Sequence, residues 1–199
     1  MELTAEKLTC ERGGRTVFMG VRFSVSNGQL MQLTGPNGSG KSSLLRMIAG
    51  LNEAASGVLT LRGGHEDLTI GQQAHYIAHQ EAVKTALSVA ENLSFWRDFM
   101  GAGDVDAAMA AFDLTRLSSY PAGLLSAGQK RRLALARLVL VPRVLWLLDE
   151  PTVGLDAASQ ARLVGVMAGH LEKGGIIIAA THVPLGREPD TRLELGRTA

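Results

Sequence analysis

The residues best suited to chemistry lie in one short stretch: Gly35, Pro36, Asn37, Gly38, Ser39, Gly40, Lys41, Ser42 and Ser43. They fit the pattern G-x-x-x-x-G-K-[ST], with Gly35, Gly40, Lys41 and Ser42 in the fixed places. Glycines let a backbone turn its N–H groups inward with no Cβ in the way. A helix N-terminus adds partial positive charge, so such a loop cradles a chain of phosphates. Lys41 is placed to reach β- and γ-phosphates, and the Ser42 hydroxyl to ligate Mg²⁺. Taken alone, the motif also fits a glycine-rich turn that happens to contain Lys-Ser.

Two further stretches carry candidate chemistry. The apolar run Val144–Leu148 leads straight into Asp149 and Glu150. A strand ending in acids puts carboxylates at the carboxyl edge of a parallel sheet, where ligands bind in open α/β folds. Asp149 is suited to hold Mg²⁺ through water, and Glu150 to polarise the water that attacks a γ-phosphate. The bland alternative is a loop that merely starts with two acids. The other stretch, Leu125–Gln129, precedes a helical pattern. Ser126 and the N–H groups there form either an anion site or an ordinary N-cap, and spacing alone does not choose.

The elements that must position these groups follow from periodicity. Gly28–Thr34 reads as an apolar strand before the phosphate loop, and Ser43–Ala49 as a helix ending at Gly50. Glu2–Thr9 and Thr16–Ser26 read as an antiparallel pair around Gly13-Gly14, the second alternating at period two. Val58–Leu61 and His75–His79 are further strands, the latter delivering Gln80 to a loop. The texture then turns helical: Ser88–Phe99, capped by Ser88 with Glu91, then Asp104–Leu114, then Gln129–Leu140, ended by Pro142. The β/α rhythm resumes with Val144–Leu148, a helix over Asp156–Leu171, a buried strand Ile176–Ala180 and a short strand at Thr191–Leu195. The fold expected is α/β, one domain over 1–199. Residues 1–81 and 142–199 form the nucleotide-binding core, and 82–141 an inserted helical subdomain.

Composition agrees with a folded globular chain: 199 residues, 46% hydrophobic, 20% charged. A formal net charge of +1 gives no bulk argument for nucleic acid or an acidic membrane surface. The single cysteine, Cys10, excludes an internal disulfide framework and reads as a small buried apolar residue. No apolar run approaches the ~18 residues that span a bilayer, and the N-terminus lacks the regions of a signal peptide. A cytosolic chain, held on a membrane only by a partner, is expected.

In order along the chain, these motifs resemble the ATP-binding-cassette ATPases, a P-loop fold with an antiparallel β subdomain, a mixed sheet and a helical insert. The resemblance implies ATP and Mg²⁺ as ligands. It implies Gly35–Ser43 as phosphate loop, Gln80 as the glutamine-loop residue and Mg²⁺ contact, and Ser126, Ala127, Gly128 and Gln129 as signature. It further implies Asp149 as the magnesium acid, Glu150 as catalytic carboxylate, Asp156 in the dimer-contact loop and His182 as switch histidine. Two copies would close head to tail around two ATPs, each nucleotide lying between one copy's phosphate loop and the other's signature. Two departures stand out. Arg12 occupies the place where an aromatic residue stacks on adenine, and it can stack through its guanidinium plane. Ala127 stands where glycine is usual, which a negative φ tolerates.

Around these motifs, His79–Trp96, Cys10–Arg12 and Leu125–Arg132 resemble the haem-exporter ATPases of bacterial cytochrome c maturation. That likeness implies an integral membrane permease of the CcmB-like type, other maturation proteins as partners, and a peripheral place on the cytoplasmic face of the inner membrane. The competing readings are an exporter subunit for another cargo, such as a lipid or peptide, and a non-transport cassette. His75 and His79 lack a metal-binding context, so no direct haem site is expected. Lys130, Arg131 and Arg132 read as a solvated helix face and not as a nucleic-acid site. Phe95, Trp96 and Phe99 read as helix core, with an edge that could receive a helix of the membrane partner.

Overall fold

The computed structural model describes residues 1–196; the last three residues of the expected domain lie outside the described residues. The chain divides into two compact units. One holds Met1–Ala78, Val144–Glu150 and the chain from His170; the other holds His79–Arg143 and Pro151–Gly169.

The first unit contains two sheets, so the expected mixture of antiparallel and parallel pairing is divided between them. Strand β1 (Glu2–Arg12) pairs antiparallel with β2 (Arg15–Ser26) and with β4 (Ser56–Arg62), in the order β2-β1-β4. Gly13 and Gly14 join β1 to β2 at φ 54 and 72, the mirror-image turn that suits a two-residue hairpin. The second sheet is wholly parallel, in the order β5-β6-β7-β3-β8. Its members are β3 (Leu30–Thr34), β5 (Ala74–Ile77), β6 (Leu145–Asp149), β7 (Ile176–Ala180) and β8 (Thr191–Glu194). Every residue of β6 and β7 is buried, as continuous apolar runs in a parallel sheet require. Helix α1 (Lys41–Ile48) packs on β6 and β7. Leu44, Leu45 and Ile48 share one core with Leu3, Leu8 and Val25 of the antiparallel sheet and Leu33, Leu147 and Ile178 of the parallel one.

The second unit is helical. Helix α2 (Val89–Met100) starts with a complete capping box: Glu91 N–H donates to Ser88 Oγ at 3.2 Å, and Ser88 N–H to Glu91 Oε2 at 2.7 Å. Helix α3 (Val105–Ala111) stops short of the expected Leu114, because the chain turns at Asp113 with φ 54. Helix α4 (Ala127–Leu140) packs against both, over a core of Leu93, Phe112, Leu114 and Leu133. Helix α5 (Ala157–Glu172) begins in this unit, and its last turn belongs to the first.

Two expectations are corrected here. Lys130–Arg132 is not a solvated face: Arg131 is buried and donates from Nε to the Pro151 carbonyl, while Arg132 Nη1 donates to the Phe112 carbonyl and the Asp113 carboxylate. Phe95 and Phe99 are not core; Phe99 is 73% exposed. The inner face of α2 is filled by Val89, Asn92 and Leu93, which leaves these rings to pack edge-on and stacked against each other and Trp96.

Candidate functional site

The glycine-rich loop Gly35–Ser43 sits between the end of β3 and the start of α1, and two of its glycines are required by geometry. At Gly35, φ 130, an added Cβ would run into the Leu195 carbonyl oxygen and lie 2.9 Å from Ser39 Oγ. At Gly40, φ 100, it would meet the Phe18 and Val17 side chains at 2.7 Å. Gly40 is the N-cap of α1 and supplies no side-chain cap. Its carbonyl accepts from Leu44 N–H at 2.8 Å, but the N–H groups of Lys41, Ser42 and Ser43 have no protein acceptor among the described residues. Three orphan donors at a positive helix end form a site for anionic oxygens. Ser39 Oγ is buried with no hydrogen-bond partner, a second polar group whose burial calls for a ligand atom. Lys41 Nζ donates to the carbonyls of Gly35 at 2.7 Å and Pro36 at 3.1 Å, so its ammonium lies over the loop itself.

The sheet order brings the acids and the histidine to this loop. β7 lies between β6 and β3, and all three run parallel. Their carboxyl ends therefore share one edge, where β3 hands over to Gly35, β6 to Asp149 and Glu150, and β7 to Thr181 and His182. Asp149 is 6% exposed and paired in register with Ala180. Glu150 has φ 46, a left-handed conformation that a non-glycine residue adopts only at a cost on the order of 1 kcal/mol. Its N–H donates to the Ala180 carbonyl at 2.8 Å, which extends the β6–β7 ladder one residue and holds the side chain at the edge. Thr181 is fully buried and its Oγ1 accepts from Val183 N–H at 3.0 Å, so His182 is the exposed apex of a small turn. Nothing in the sequence signals the strained backbone at Glu150.

The Tyr76 hydroxyl of β5 was not singled out by sequence. It accepts from Arg46 Nε of α1 at 3.4 Å, and burial, the largest influence, together with the charge of Asp149 raises its pKa. Arg12 ends β1 opposite Arg15, exposed. Cys10 is 1% exposed, and its burial pushes the thiol pKa up. Among the described residues no three His, Cys, Asp or Glu side chains converge. A magnesium ion beside Ser42 and Asp149 would therefore draw most of its ligands from phosphate and water, the usual arrangement for this cation. The orphan Ser39 hydroxyl, the uncapped helix start and the Gly35 cradle fit a nucleotide phosphate chain.

The remaining candidates belong to the helical unit. Gln80 is exposed, three residues beyond Ile77. Ser126 caps α4 in a second capping box: Gln129 N–H donates to Ser126 Oγ at 3.3 Å, and Ser126 N–H to Gln129 Oε1 at 2.8 Å. Ala127 is absent from the residues with positive φ, so its methyl costs no backbone strain. An added Cβ at Gly128 would lie 3.0 Å from the Gly154 carbonyl, which places the start of α4 against the Gly154–Asp156 loop. Asp156 Oδ1 accepts from Ser159 N–H at 2.8 Å at the start of α5, and that bond holds its carboxyl below the usual range.

Residues 18–153 match the family described as ABC transporter. The chain belongs to the ABC transporter family. It is an ATP-hydrolysing cassette, with Gly35–Ser43 inside the matched span. A solved structure titled as the ATP binding subunit of an ABC transporter superposes with a TM-score of 0.86 at 25% identity, covering 98% of this chain and 86% of that one. The cassette is also similar to a protein of Mesorhizobium japonicum named cytochrome c biogenesis ATP-binding export protein CcmA. The two are 56% identical over 191 residues, 94% of this chain and 95% of that protein. A protein of the same name from Nitrobacter winogradskyi is 53% identical over 189 residues, 94% of each chain.

Proposed function

We propose that this cassette drives haem export, or the release of a haem-loaded chaperone, in bacterial cytochrome c maturation. It works peripherally on the cytoplasmic face of the inner membrane, beside an integral membrane permease of the CcmB-like type and other maturation proteins. The observation that carries the cargo assignment is the 56% identity, over nearly the whole of both chains, to the CcmA protein of Mesorhizobium japonicum. No helix among the described residues is long and apolar enough to cross a membrane, which leaves the spanning segments to the permease. The solvent-facing groove of about 410 Å³ lined by Ala82, Val83, Lys84, Phe95, Trp96 and Phe99 supports a docking site for it.

The core, 1–81 with 142–199, binds ATP, and the helical subdomain, 82–141, answers to the permease. Gly35–Ser43 wraps the phosphates through the orphan N–H groups of α1, and Lys41 transfers its ammonium from the loop carbonyls to the β- and γ-oxygens. Mg²⁺, when held by Ser42, Gln80 and Asp149, supplies charge neutralisation at the phosphates. Glu150 accepts a proton from the attacking water, and His182 donates to the γ-phosphate as charge builds there. Arg12 stacks its guanidinium on the base. Ser126, Ala127, Gly128 and Gln129 of a second copy complete the site in trans, with Asp156 at the shared boundary. The homodimer therefore closes on ATP and opens after hydrolysis.

Two measurements test this reading. Deleting the gene should abolish haem staining of c-type cytochromes; normal staining would remove the cargo assignment. Glu150→Gln should retain ATP and run as a dimer on size exclusion with Mg-ATP; a monomer there would remove the closing dimer.

A further inference from the structure

Gln32 is the only polar residue within Leu30–Leu33 of β3, a strand otherwise built for burial between β7 and β8. Its side-chain amide is not idle. Gln32 Nε2 donates to the carbonyl of Thr181 at 3.0 Å. Thr181 is fully buried and caps the turn that lifts His182. A single side chain thus ties the strand that enters the phosphate loop to the backbone that carries the histidine.

The far end of the same loop is tied to the same strand. Asp190 Oδ2 accepts from Leu30 N–H at 2.8 Å, and Asp190 N–H donates to the Leu30 carbonyl at 2.9 Å. Arg187 Nη2 holds both oxygens of that carboxylate at 2.9 Å. Between these anchors lies a cavity of about 220 Å³, lined by Gln32, His182, Leu185, Arg187 and Arg192 among others. The cavity leaves the His182 side of the loop without close packing, and the Gln32 amide is the side-chain bond that reaches the backbone next to it from β3.

We infer that Gln32 is a positioning residue for His182: its amide sets the Thr181 carbonyl, and so sets where the histidine stands relative to the phosphate loop. The inference rests on the reading of His182 as the group facing the γ-phosphate. A displaced catalytic group loses rate while leaving ground-state binding alone.

The test is steady-state ATP hydrolysis by the full chain with Mg-ATP, for Gln32→Met, His182→Ala and the double variant. Gln32→Met should lower kcat about tenfold with KM changed by less than about twofold. In the His182→Ala background it should cause no further loss, because its only route to the chemistry has been removed. An unchanged kcat in Gln32→Met, or losses that multiply in the double variant, would overturn the inference. If His182→Ala itself hydrolyses ATP at the normal rate, the role of His182 fails first, and that result is distinct from the other two. Should Gln32→Met not fold, Gln32→Glu carries the test. Its carboxylate is ionised at about pH 8 and offers no donor to the Thr181 carbonyl, so its kcat there should fall at least about tenfold with KM changed by less than about twofold. An unchanged kcat in Gln32→Glu would count against Gln32.

Discussion

Helices α1 and α4 both begin at a turn that could hold an anion, yet their first turns are built differently. α1 starts at a glycine with φ 100, has no side-chain cap and no acid in its first turn, and leaves its leading N–H groups without protein acceptors. α4 starts at Ser126 with both halves of a capping box made. The capped helix is complete by itself. The uncapped one carries a standing deficit that a phosphate chain would fill, and a cap of the α4 kind is worth about 1 kcal/mol. The contrast makes the α1 start the one with donors left for an anionic ligand, and the α4 start the one already satisfied by its own side chains. A chain can carry two glycine-bearing helix starts, and the one without its own acceptor is the one that needs a ligand.

The contrast is broken most directly at Lys41. Lys41→Ala should cut ATP hydrolysis on the order of a thousandfold, roughly 4 kcal/mol of barrier, measured as phosphate release. Undiminished release would mean that the α1 start is not the site. A third helix end sharpens the comparison through pH. His170 lies in the last turn of α5, where a positive charge is ordinarily favoured, but its ring stacks on Trp146 at 3.8 Å and burial lowers its pKa to about 4, with Lys173 adding a smaller push. The unfolded chain keeps a value near 6.5, so the neutral ring favours the fold fully above that pH. As pH falls from 6.5 to 4 the unfolded chain takes up a proton that the folded one refuses, and stability is lost; below 4 the loss levels off. After a discount for solvent reaching part of the ring, about 2 kcal/mol is at stake. His170→Phe should keep the stack and flatten the melting temperature between pH 7 and 4 relative to wild type; parallel curves would show that His170 is not responsible. The smallest effect belongs to the capped start. Ser126→Ala should lower stability by about 1 kcal/mol in chemical denaturation, without weakening ATP binding to the isolated chain. If binding falls as far as it does in Lys41→Ala, the division of roles between α1 and α4 is wrong.

Much of this was legible in the residue pattern. The glycine-rich turn between β3 and α1 was legible, because Gly35 and Gly40 at their fixed spacing serve one backbone geometry. The buried strands β6 and β7 were legible as unbroken apolar runs. Other features depend on long-range partners and were not. α4 begins at Ala127, two residues before the expected Gln129, because the Gln129 side chain folds back to cap Ser126. Phe95 and Phe99 looked like core because aromatic residues at helical spacing usually are, but α2 had already filled its inner face. Gln32 could have been found as the one amide in an apolar strand, although its acceptor lies in a segment distant in sequence. The backbone strain at Glu150 has no signal in residue type at all.

The place of β3 has a consequence for biosynthesis. Both of its sheet neighbours, β7 and β8, come from the last quarter of the chain, while the loop it carries is made near the beginning. On the ribosome the Gly35–Ser43 loop must therefore wait on an unpaired apolar strand until β7 and β8 have emerged. Local contacts can form early, but this pairing is late by construction. A product terminated anywhere before Ile176 has no neighbour for β3 on either side. It lacks the sheet edge at which Gly35, Glu150 and His182 are brought together.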